Sequence, residues 1–75
     1  MSRLPAVKPP EVIKALQKAG FIIHHIKGSH YTLKQPETGR RVTVPYHRRE
    51  MKPGTLANII RQAGLTKEEF LKLLR

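Results

Sequence analysis

The segment Lys27-Gly28-Ser29-His30 combines a cation, a flexible turn, a hydroxyl and an imidazole. Imidazole changes charge between roughly pH 5 and 8, so a histidine can remove a proton and later return one. RNA supplies its own nucleophile, the 2′-hydroxyl, and a protein that cleaves it also needs cations to stabilise charge on the phosphate. His30 is therefore a candidate general acid or base acting on RNA. The alternative, which residue type alone favours, is that His30 is only a polar residue at the start of a strand.

A second group of candidates lies in the basic segment from Tyr46 to Lys52, which reads YHRREMK. Arg48 and Arg49 present forked N–H donors that suit phosphate groups. His47 is a candidate second proton donor. A solvated basic loop is the alternative interpretation of this segment.

Two further histidines and two tyrosines are weaker candidates for site residues. His24 and His25 are adjacent in a predicted strand, so they should point to opposite faces and cannot easily share a metal. We expect the one on the helix-covered side to be packed and hydrogen-bonded, while His25 is also a candidate second proton-transfer group. A single histidine that acts with a lysine is the alternative to a second histidine. Tyr31 and Tyr46 could stack on bases, although a packing role is favoured for Tyr31.

Several other chemistries lack the residues that they require. The chain has no Cys, and Glu37 is the one acidic residue between Glu11 and Glu50. Metal binding, thiol chemistry and paired-carboxylate hydrolysis are therefore not expected, and neither is a cofactor. The phosphate-binding spacing Gly-x-x-x-x-Gly-Lys-Ser is absent as well.

Length and charge restrict the class of protein. We expect the 75 residues to form a single domain over 1–75, with 1–8 as a short basic lead-in. Fifteen Lys and Arg against five Asp and Glu give a net charge of +10, which favours a polyanionic partner such as nucleic acid. No apolar run is long enough to span a membrane, so a cytoplasmic location is expected.

Hydrophobic periodicity predicts the order α-β-β-β-α-α. Pro9 and Pro10 begin a helix that ends at Gly20, Pro53 begins one that ends at Gly64, and Thr66 with Glu69 forms a capping box for the last. The intervening predicted strands are 21–26, 30–34 and 41–44.

These elements predict an α+β fold in which helices cover one face of a three-stranded antiparallel sheet. Alternation in the first strand places Phe21, Ile23 and His25 on one face but does not decide which face is buried. The covered face is predicted to carry Tyr31, Leu33, Val42 and Val44. The opposite, solvent-facing side is predicted to carry His30, Thr32, Lys34, Arg41 and Thr43.

Several short motifs occur together in one order. They are Lys18-Ala19-Gly20-Phe21, Lys27-Gly28-Ser29-His30-Tyr31, Val44-Pro45-Tyr46-His47, Lys52-Pro53-Gly54-Thr55-Leu56, the segment from Ile59 to Leu65, and Glu69-Phe70. With these motifs the chain resembles, from about Pro10 to Leu74, the HicA (YcfA-like) mRNA interferase toxins of type II toxin–antitoxin systems.

The resemblance implies a fold similar to double-stranded-RNA-binding domains and cleavage of mRNA without a cofactor. It also implies that His30 is catalytic, that Gly28 and Ser29 shape the turn, and that His47 belongs to the site. The implied partner is a HicB antitoxin that covers the active site.

The leading hypothesis is thus an endoribonuclease with His30 as general acid or base. The product would carry a 2′,3′-cyclic phosphate. A double-stranded-RNA-binding module without chemistry is the main alternative, and a DNA-binding regulator is a weaker one. In the leading hypothesis phosphates are held by Lys27, Lys34, Arg41, Arg48 and Arg49.

Overall fold

The computed structural model describes residues 4–75, so the first three residues of the expected lead-in lie outside the described part. Three strands are flanked by one helix before them and two after them, in the predicted order. The elements are α1 (Pro9–Lys18), β1 (Ile22–Lys27), β2 (His30–Lys34), β3 (Arg41–Pro45), α2 (Pro53–Gln62) and α3 (Lys67–Leu73).

The three strands form one antiparallel sheet in the order β1-β2-β3. Gly28 and Ser29 connect β1 to β2, with Lys27 opposite His30. Gly28 has φ +58°, and a glycine with positive φ at the first central position is typical of a tight two-residue hairpin turn. The β2–β3 loop is closed by a 2.9 Å hydrogen bond from the Gln35 N–H to the Arg40 carbonyl.

All three helices cover the same face of the sheet. Leu33, Val42 and Val44 are fully buried against them, while His30 and Arg41 on the other face are exposed. This confirms the predicted α+β architecture with helices on one face. The helix residues that complete the core include Val12, Leu16, Leu56, Ile59 and Phe70.

A hydrogen bond connects the end of α1 to the β2–β3 loop. Gly20, with φ +96°, lets the chain reverse so that the Phe21 N–H donates to the Leu16 carbonyl at 3.0 Å. The Gln35 side-chain amide donates to the Ala19 carbonyl at 2.8 Å. This bond satisfies a carbonyl that the helix end leaves without a partner.

The lead-in and the basic segment 46–52, which we call the basic connector, both contribute to the core, and the sequence pattern did not predict this. Val7 and Met51 are buried, and the Met51 N–H donates to the Val7 carbonyl at 2.7 Å. Single apolar residues outside a helix or strand carry no periodicity, so the sequence indicated only that both segments are basic.

The last helix begins as predicted and packs slightly differently. Thr66 and Glu69 form the expected capping box, with reciprocal bonds of 2.7 and 3.1 Å. The residue spacing predicts an apolar stripe of Phe70, Leu71 and Leu74. Phe70 and Leu74 pack on the core, and Leu73 takes the place of Leu71 there.

Candidate functional site

The side of the sheet away from the helices carries three rows of cross-strand neighbours, and we call this surface the open face. Neighbouring strands lie about 4.8 Å apart, so residues within a row are adjacent. The rows are Lys27, His30 and Pro45, then His25, Thr32 and Thr43, then Ile22, Lys34 and Arg41.

A β-bulge in β1 decides which of its residues belong to the open face. Ile23 lies opposite Leu33, whereas His25 lies opposite Thr32, so His24 is the inserted residue. Simple alternation placed His25 on the same face as Ile23, and that prediction is wrong. The bulge moves His25 onto the open face, in the row next to that of Ile22.

Neither of the adjacent histidines is packed, which corrects a second expectation. His24 and His25 are both exposed. The helices leave β1 largely uncovered, since Ile23 and Ile26 remain 40% and 50% exposed although they lie opposite Leu33 and Tyr31. An edge strand without a covering layer has no interior in which to bury a histidine.

His30 is the first residue of the central strand and lies at the end of the open face. It is exposed and makes no side-chain hydrogen bond within residues 4–75. Lys27 is directly opposite it in β1, which places the two Cβ atoms about 5 Å apart. The imidazole and the ammonium group can therefore reach the same ligand.

The predicted cations fall into two groups. Lys27 adjoins His30, whereas Lys34 and Arg41 form the opposite row of the sheet, four residues or about 13 Å further along β2. Lys34 and Arg41 are thus too far from His30 to bind the same phosphate. Within the described residues none of the three is paired with a carboxylate.

The basic connector begins next to the Gly28–Ser29 turn. The Tyr46 N–H donates a 2.6 Å hydrogen bond to the Ser29 carbonyl, just before His30. His47, Arg48 and Arg49 follow, and all three are exposed. The structure thereby brings the start of the connector to the His30 end of the sheet.

Tyr31 and Tyr46 form a stacked pair beside this turn. Their ring centroids are 4.7 Å apart and their planes differ by 22°. Tyr31 is half-buried against the core, in agreement with its predicted packing role. Tyr46 remains 38% exposed, and the sequence pattern did not indicate that the two rings would meet.

Residues 4–75 contain neither a cluster of metal-ligating side chains nor a membrane-spanning helix. Within residues 4–75 no three His, Asp or Glu side chains are grouped as metal ligands would be. None of the helices in that same range has both the length and the apolar character needed to cross a bilayer.

A comparison with models of protein families gives a match. The family model described as "HicA toxin of bacterial toxin-antitoxin" matches residues 10–65. This range covers most of the chain and includes the whole sheet and all the predicted site residues. A comparison with curated proteins finds no match.

Proposed function

The chain belongs to the HicA toxin family of toxin–antitoxin systems, and from this premise we propose that it is a metal-independent endoribonuclease that cleaves mRNA. The observation that carries the proposal is the position of His30. It is an exposed histidine on the central strand of an uncovered basic sheet face, with Lys27 directly opposite. An open face suits a long polymer better than a small molecule, which is usually bound in a concave pocket.

The reaction that these groups support is attack by the RNA 2′-hydroxyl on the adjacent phosphorus. One base removes the 2′-hydroxyl proton as the new P–O bond forms, and one acid protonates the 5′-oxygen as its P–O bond breaks. The products are a 2′,3′-cyclic phosphate and a free 5′-hydroxyl. We assign His30 to one of these proton transfers.

Lys27 is proposed to stabilise the phosphate during the reaction. Negative charge accumulates on the non-bridging oxygens in the transition state, and a fixed cation nearby lowers its energy. Lys27 is held for this by its cross-strand pairing with His30. Phosphates further along the RNA backbone are proposed to be bound by the remaining cations, Lys34, Arg41, Arg48 and Arg49.

The second proton-transfer group is proposed to be His25 rather than His47. His25 lies opposite Thr32, which makes it a diagonal neighbour of His30 on the open face, with the Cβ atoms about 7–8 Å apart. Two imidazoles at that separation can reach opposite sides of one phosphate. His47 lies beyond β3, where no cross-strand partner orients it.

A HicB antitoxin is the proposed partner of the open face. No helix of the described chain covers this face, and it carries Lys27, Lys34 and Arg41 without paired carboxylates. An antitoxin that covers His30 with an acidic surface would exclude RNA from the site.

The test compares RNA cleavage by the wild type, His30→Ala and His24→Ala in the presence of EDTA, on a denaturing gel. His24→Ala is the matched control, because His24 is an exposed histidine at the bulge. We expect the wild type and His24→Ala to cleave equally and His30→Ala to be slower by about a hundredfold or more. The cleaved 3′ ends should resist polyadenylation until the cyclic phosphate is removed.

Matching circular dichroism spectra would first show that all three proteins are folded. Equal cleavage by His30→Ala and the wild type would contradict the assignment of His30. RNA binding without any cleavage by the wild type would favour the non-catalytic RNA-binding module.

A further inference from the structure

Tyr46 is an aromatic residue that the proposed reaction does not use. Its ring stacks on that of Tyr31 at a centroid distance of 4.7 Å, yet 38% of the residue is exposed. Tyr31 is itself held by packing against the core and by its place in the central strand. The ring of Tyr46 is therefore supported from one side by a fixed aromatic surface.

The position of Tyr46 relates it to the proposed site. Its N–H donates to the carbonyl of Ser29, the residue before His30, at 2.6 Å. Tyr31, which supports its ring, is the residue after His30. Side chains of consecutive strand residues point to opposite faces, so the tyrosine pair lies across the end of the sheet from the imidazole.

The residues after Tyr46 complete a pattern seen in proteins that bind single-stranded nucleic acid. His47, Arg48 and Arg49 follow Tyr46, are exposed, and have no carboxylate partner within the described residues. Aromatic side chains that stack on bases, next to cations that hold the backbone, bind single strands with little sequence preference. In a duplex both faces of each internal base are occupied by neighbouring bases.

We propose that Tyr46 stacks on an unpaired base of RNA whose backbone passes the His30 end of the open face. The ligand at Tyr46 is thereby single-stranded RNA. Double-helical RNA, which domains of similar fold bind, cannot stack on Tyr46 because its internal bases have no free face. This inference rests on the proposed function for the identity of the ligand, and it concerns binding rather than the chemical step.

The chain provides a direct optical test. It has no Trp and two Tyr, so tyrosine emission comes from the stacked pair alone. A 2′-O-methyl RNA oligonucleotide binds without being cleaved, because it lacks the attacking hydroxyl. We expect titration with the single-stranded oligonucleotide to quench this emission, and an oligonucleotide with abasic sites to bind more weakly with less quenching.

Substitutions distinguish stacking from simple packing. Tyr46→Leu should weaken binding of the single strand by about tenfold, whereas Tyr46→Phe, which keeps the ring, should bind within about twofold of the wild type. Urea unfolding of both variants would show whether they remain folded. A fluorescently labelled RNA duplex should bind wild type and Tyr46→Leu equally, because no unpaired base is available.

The outcomes separate this inference from the proposed function. Quenching and a loss of affinity in Tyr46→Leu, without cleavage of unmodified RNA by the wild type, would support stacking and contradict the nuclease. Cleavage by the wild type together with equal affinity and equal cleavage by Tyr46→Leu would contradict stacking and leave the nuclease intact. A protein that binds neither single strand nor duplex would contradict both.

Discussion

The hydrogen bond from the Tyr46 N–H to the Ser29 carbonyl, 2.6 Å long, joins two of the segments that contain candidate site residues. One segment is the Gly28–Ser29 turn before His30, and the other is the basic connector. They are far apart in the chain and adjacent in the fold. The bond extends the β2–β3 ladder beyond the His30–Pro45 pair and so holds the connector at the end of the open face.

The conformation of Gly28 predicts opposite effects of the same substitution at two glycines. Gly28→Ala should destabilise the fold by about 1–3 kcal/mol, because φ is +58° there although no atom blocks the methyl group. Gly54→Ala should stabilise by up to about 1 kcal/mol, because Gly54 lies in α2 with no strained φ and no close neighbour. Urea unfolding midpoints measure both, and a destabilised Gly54→Ala would contradict this account of the two sites.

The bulge in β1 predicts which of the adjacent histidines affects the reaction. His25→Ala should remove one limb of the pH–rate profile of RNA cleavage and slow the reaction by about tenfold or more, because His25 is a diagonal neighbour of His30. His24→Ala should leave the profile unchanged. If His47→Ala removes that limb and His25→Ala does not, the second proton-transfer group lies in the connector.

The position of Arg41 predicts a change in salt dependence. Arg41→Ala should reduce the slope of log affinity for single-stranded RNA against log salt concentration by about 0.7, the loss of one phosphate contact. Lys72→Ala is the matched control, because Lys72 is an exposed cation on α3, on the helix side of the sheet. An equal change of slope in both variants would mean that RNA affinity depends on the net charge of the protein and not on the cations of the open face.

The bond between Gln35 and Ala19 predicts a local contribution to stability. Gln35→Ala should lower the free energy of unfolding by about 0.5–1.5 kcal/mol, because it removes the donor to the Ala19 carbonyl at the end of α1. Gln62→Ala, at an exposed position in α2, should change it by less than about 0.5 kcal/mol. Thermal or urea unfolding of the two variants is the measurement, and equal effects would show that the bond adds no net stability.

Much of the fold could be predicted from periodicity and from residues that begin and end elements. Hydrophobic periodicity between Pro53 and Gly64 predicted α2, and the alternation of Val42 and Val44 predicted the buried face of β3; both predictions are confirmed. These signals are local, because each depends on the direction of side chains within one helix or strand.

The structure of the first strand could not be predicted from the pattern of residues within that strand. Isoleucines occur on both faces of β1, so its pattern did not indicate a buried side, and the inserted His24 then reversed the faces of the residues after it. Whether a strand contains a bulge depends on how it pairs with its neighbour. The exposure of Ile23 and Ile26 likewise depends on how far the helices extend over the sheet.

The sequence by itself determined the element order, the buried face of β2 and β3, and the assignment of His30, Lys34 and Arg41 to the opposite face, because each follows from spacing within a short segment. Only the tertiary structure decided that His25 joins the open face, that Val7 and Met51 close the core, and that Tyr46 stacks on Tyr31. Those three relationships arise from contacts between different segments of the chain, and such contacts leave no periodic pattern in the residues that make them.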